Sequence, residues 1–70
     1  MQWFDAYLSK PEQLERSSYS RYVLVWIECD NGASYWAADR FDHVSKTWDV
    51  SHGERVTHWA DPRPPEHRTK

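Results

Sequence analysis

Apolar and polar positions follow a strand-like pattern most clearly between Tyr22 and Phe41. The run Tyr22-Val-Leu-Val-Trp-Ile-Glu-Cys29 is rich in β-branched and aromatic residues, the types that suit a pleated surface. Asp30-Asn31-Gly32-Ala33 follows. Asn-Gly at its centre favours a type I′ turn, because both residues accept positive φ. Ser34-Tyr-Trp-Ala-Ala-Asp-Arg-Phe41 then returns as the second strand. A two-residue loop fixes the register. It sets Ile27 opposite Trp36, Val25 opposite Ala38 and Val23 opposite Arg40. On the other face it sets Glu28 opposite Tyr35, Trp26 opposite Ala37, Leu24 opposite Asp39 and Tyr22 opposite Phe41. Both faces carry large apolar groups, whereas a sheet with one wet face alternates more cleanly. The second face therefore needs a cover: the N-terminal segment, the C-terminal tail, a second copy or a partner.

Elsewhere the pattern is weaker. Ser9 and Glu12 have the spacing of a capping box, and Pro11 falls where a first helical turn needs no N–H donor. Residues 9–17 are thus predicted as a short helix, anchored only by Leu14. Lys46–Val50 and Glu54–Trp59 read as two further strands, separated by the turn-like Ser51-His52-Gly53. From Pro62 the chain continues Arg-Pro-Pro-Glu-His-Arg-Thr-Lys70. Prolines at this density cannot enter a sheet interior, so the stretch reads as an extended polyproline II arm, which either folds back over rings such as Trp3 or Trp59 or docks in an aromatic groove of a partner. The expected fold class is α+β. It comprises an antiparallel sheet of three or four strands, one short N-terminal helix and a Pro-rich tail. Residues 1–61 form one domain and 62–70 the tail. The expected core is Val23, Val25, Ile27, Trp36, Trp48, Val56 and Trp59.

Composition sharpens this. Five tryptophans, four tyrosines and two phenylalanines in 70 residues supply large buried areas to a chain with little core to build. The same residue types are enriched at binding surfaces. Cys29 is the only cysteine, so no disulfide forms within one chain. Cys29, His43, His52, His58 and His67 lack the close paired spacings of a zinc module, and no metal or cofactor is expected. The net charge of −2 gives no field that attracts nucleic acid. No apolar run approaches a membrane span, and the N-terminus lacks the form of a signal peptide. One free thiol fits a reducing cytoplasm.

Catalytic signals are weak. Neither a Gly-x-Ser-x-Gly elbow nor a phosphate-cradling loop occurs. Cys29 with His58, and the carboxylates Asp39, Asp42 and Asp49, read as structural or solvated residues, and no enzymatic activity is expected. Stacking of single-stranded nucleic acid on Trp36 with Arg40 nearby is a recognised mode, but phosphate contacts dominate such affinity and the chain is acidic.

Trp3, the Leu-x-x-Pro-Glu stretch from Leu8 to Glu12, Val23-Leu24-Val25, and Val56-Thr57-His58-Trp59 followed by prolines resemble a small family of phage and prophage proteins of unknown function. That family ends in a Thr-His-Trp signature followed by a Pro-rich stretch. Two residues separate Leu8 from Pro11 where the family pattern has none, and Ala60-Asp61 replace a Met-Pro-Leu stretch. The resemblance implies a phage origin and a small, mostly β fold, with no activity to carry over.

These readings converge on a cytoplasmic accessory protein that binds a bacterial host protein and inhibits or modulates it, as anti-defence and anti-CRISPR-like proteins do. The expected partner-binding surface is Tyr22, Trp26, Tyr35, Asp39, Arg40 and Phe41. A single-stranded nucleic-acid module using the same sheet and a structural homodimer are the alternatives.

Overall fold

The computed structural model describes residues 2–62. The arm beginning at Arg63, including its expected return over Trp3 or Trp59, lies outside the described residues. Among the described residues the chain is all-β, with strands β1 (Trp3–Asp5), β2 (Val23–Cys29), β3 (Ser34–Asp39), β4 (Phe41–Asp42), β5 (Thr47–Trp48) and β6 (Glu54–Ala60). Four of them form an antiparallel sheet in the order β1-β6-β2-β3, and β4 pairs with β5.

The α+β expectation is corrected here, because residues 9–17 form no helix. One apolar residue gives a helix almost nothing to bury, and the segment's polar groups find other partners. Ser9 C=O accepts the indole N–H of Trp59 at 3.0 Å. Pro11 C=O meets His43 Nε2 at 2.9 Å. Arg16 adopts φ +63°, and Leu14 N–H reaches across to Tyr19 C=O. The segment is a strap over the sheet.

The β2–β3 register also differs from expectation by one residue. Gly32 N–H bonds Cys29 C=O at 2.9 Å, and Cys29 N–H bonds Ala33 C=O at 2.8 Å. This is a three-residue loop, a type I turn closed by Gly32 at φ +92°. Asn31 keeps negative φ and uses its side-chain oxygen to accept Ala33 N–H. Asn-Gly therefore serves a turn that needs one left-handed residue, not two. The slip sets Trp26 opposite Trp36 and Val25 opposite Ala37. It moves Trp36 from the expected core to the other face, where it is 65% exposed.

The inner face holds Val23, Val25, Ile27, Val56 and Trp59, with Ala6 beside them and Phe4, Ala37, Trp48 and Val50 at the margin. Val56 and Trp59 are three residues apart, so strict alternation would put them on opposite faces. A bulge resolves this. Trp26 pairs with His58 and Ile27 with Val56, leaving Thr57 unopposed. Ala6 N–H takes the Thr57 carbonyl at 2.9 Å. Over this face lies a second layer made by residues 18–20 and β4–β5. Phe41 is buried edge-on to Trp48 and His43, at 5.2 and 4.9 Å. Buried Ser20 exchanges hydrogen bonds with Phe41 through its own N–H and Oγ.

Candidate functional site

The two faces of the sheet have different fates. The inner one is largely covered by the strap and the second layer. The outer one carries Trp3 and Ala60 on neighbouring strands, then Leu24 and Ala38, and beside them the row His58, Trp26, Trp36. Trp3, Trp36, Ala38, Arg55 and His58 are exposed. Three of the five tryptophans thus share one solvent-facing surface. Cys29 and Ala33 form a hydrogen-bonded pair, so the alternation of the ladder makes Trp26 and Trp36 a non-hydrogen-bonded pair, the closer of the two types.

Trp3, Trp26, Glu28 and His58 line a shallow depression of about 340 Å³ on this face. Two indole rings beside a carboxylate form a setting that attracts a cation. The neighbouring Arg55 is engaged by Glu28 at 3.8 Å and Asp30 at 3.3 Å. His58 Nδ1 is hydrogen-bonded to Thr57 Oγ1 at 3.0 Å.

A larger open groove, about 1170 Å³, runs between the strap and the sheet over Phe4, Val23 and Trp59, with Lys10 and Glu12 at its rim. Arg21 there is paired with Asp61. Mixed charges and a floor already packed into the core give it less to offer than the outer face.

The six residues expected to form one binding surface are dispersed. Trp26 alone stands on the outer face. Tyr22 and Arg40 come together at the end of the sheet, where the Arg40 guanidinium stacks 3.8 Å from the Tyr19 ring and 5.3 Å from that of Tyr22. Tyr35 lies on the inner side and donates its hydroxyl to Glu54 at 2.6 Å. That bond pushes the phenol up to about 12 and lowers the Glu54 carboxyl. Phe41 and Asp39 are buried and present no surface. Asp39 Oδ1 accepts the Arg40 N–H at 2.7 Å, and the Asp49 N–H also faces the carboxylate; buried Oδ2 makes no hydrogen bond of normal geometry, and burial raises this carboxyl above its ordinary value. Trp3, Trp36 and His58 were not in the expected set. Trp36 was missed through the register, and Trp3 because nothing in the sequence marked β1 as a strand.

Among the described residues, no three His, Cys, Asp or Glu side chains are placed to hold a metal ion, and no helix is long and apolar enough to cross a membrane. Compared with protein-family models, curated proteins and solved structures, the chain finds no match.

Proposed function

We propose that this chain is a protein-binding module whose partner docks on the outer face of the sheet. The observation that carries the reading is the alignment of Trp3, Trp26 and Trp36 on one open surface of a chain short of core residues. Tryptophan is the residue type most enriched among interface anchors, and three of them on a rigid strand scaffold lose little entropy on binding. The depression between Trp3 and Trp26, with Glu28 at its wall, suits a lysine or arginine side chain of the partner. The resemblance to phage and prophage proteins makes a bacterial host protein the partner class, and occlusion of that protein's working surface the mode of action. Single-stranded nucleic acid fits less well. The face offers a carboxylate at Glu28, and its arginine, Arg55, is already held by two acidic groups. Phosphate binding needs free cations.

Capture from a bacterial lysate, repeated with Trp36→Ala and Glu28→Gln, tests this. The expected result is one protein in stoichiometric amount that resists nuclease and high salt, is lost with Trp36→Ala and weakened with Glu28→Gln. Equal capture by the variants, or capture that nuclease abolishes, would sink the reading.

A further inference from the structure

Strand β3 is an edge of the sheet. The ladder that starts at the Cys29–Ala33 bond turns the N–H and C=O groups of Tyr35, Ala37 and Asp39 toward β2. It turns those of Ser34, Trp36 and Ala38 outward. No described segment pairs with these outward groups. Natural edges are protected by lysine, proline, bulges or brevity. The stretch Ser34-Tyr-Trp-Ala-Ala38 has no charge, proline or glycine. At its end Asp39 is turned into the interior. Such an edge is a template for another strand.

We infer that β3 pairs antiparallel with β3 of a second copy, about a two-fold axis at Trp36. Only this centring uses all the outward groups at once. It places Trp36 opposite Trp36 of the second copy and Ser34 opposite Ala38, each pair exchanging two backbone bonds. Between them Tyr35 lies opposite Ala37, bulky against small. No like charges meet. At each end Arg40 arrives beside the other copy's Asp30–Gly32 turn, where Asp30, paired with Arg55 of its own copy, keeps a side chain 78% exposed. A two-fold interface must be self-complementary, and this strand is so in shape and in charge. The result is one continuous sheet of eight strands. The Trp26–Trp36 row of one copy runs into that of the other, and the exposed Trp36 ring gains a neighbour. The dimer doubles the outer face, and it rests on the free edge, independently of what that face binds.

Sedimentation equilibrium of the full chain tests this pairing and its register. Wild type is expected at twice the chain mass. Ser34→Lys with Ala38→Lys sets lysine against lysine in both flanking pairs and should yield monomer with unchanged far-ultraviolet circular dichroism. Ser34→Lys with Ala38→Glu sets lysine against glutamate and should restore the dimer. A monomeric wild type at the highest soluble concentration overturns the inference. So does a double-lysine variant that stays dimeric, or a Lys/Glu variant that stays monomeric. Partner capture is scored separately, so failure of either idea leaves the other readable.

Discussion

The two faces of the sheet are built from alternate residues of the same strands, yet one is a core and the other a surface. Val23, Val25 and Ile27 are almost wholly buried, while Leu24, Trp26 and Glu28 are only partly covered. Residue type does not separate them, since the outer face has the larger rings. Coverage does. The strap of residues 9–17 and the second layer of residues 18–20 and β4–β5 both lie on the inner side, tied there by Trp59 to Ser9, His43 to Pro11 and Ser20 to Phe41. Apolar surface left open on a small domain marks a place for contact.

The sharpest test is to cut one ring from each face. Trp59 stacks on Phe4 with centroids 4.7 Å apart and donates to Ser9 C=O. Trp59→Ala removes the largest core side chain and orphans that carbonyl, and should cost about 3–5 kcal/mol. A chain of this length has a total stability of only about 4–10 kcal/mol, taking 0.05–0.15 per residue. Denaturant melts should therefore show a variant at or near unfolding. Trp36→Ala should cost at most about 1 kcal/mol, the worth of a cross-strand pair, while abolishing partner capture. Equal losses of stability at the two sites would erase the distinction between the faces.

A smaller effect probes what decides which residues face which way. Gly32 adopts φ +92° and has open space around the position of a Cβ. Gly32→Ala therefore meets no clash and costs only the left-handed conformation, about 1–2 kcal/mol. The measurement is the denaturation midpoint. Were the loop the two-residue type I′ turn that Asn-Gly suggests, Asn31→Ala would cost as much, because both positions would need positive φ. With Asn31 at negative φ, Asn31→Ala should lose only the bond to Ala33 N–H and fall short of the glycine effect.

That turn marks where the sequence was legible and where it was not. Val23, Val25 and Ile27 were expected in the core and are buried there, but alternation alone did not say which face is covered, because both carry large apolar groups. Loop length was not legible. Asn-Gly fits two turn types, and a one-residue difference flips every side chain of β3; Trp36 and the outer-face row were lost with it. The helix was misread because capping signals at Ser9 and Glu12 say where a helix starts, not whether it has an apolar stripe to bury. The bulge at Thr57 left a trace, since Val56 and Trp59 are both core candidates at odd spacing. β1 left none, being too short to show a period. The outer face was least legible, because an exposed tryptophan and a core one are the same amino acid until the cover is known.

The smallest expected effect comes from Asp39, the one charged residue buried among the described residues. Asp39 pairs with Val23 on the inner face and is 5% exposed. Burial raises its carboxyl and the charge of Asp49 adds to this, while the backbone N–H groups of Arg40 and Asp49 and the Arg40 guanidinium oppose it. A raised value means that the folded chain holds this proton more tightly than the unfolded chain does. The contribution is thus fully present below the unfolded value of about 3.9 and is lost as pH rises through the folded value. At neutral pH the ionised carboxylate is a standing cost. Asp39→Asn keeps an acceptor for the Arg40 N–H and removes the charge. Relative to wild type it should be favoured at pH 7, and its advantage should shrink as pH falls and level off below about 3.9. Asp42 and Glu54 carry lowered values and act in the opposite sense. Only the difference between variant and wild type isolates Asp39. Paired denaturant melts across this range read it directly. A pH-independent difference would show that Oδ2 is satisfied, and that the inner face is sealed less completely at its β3 end than at Val25.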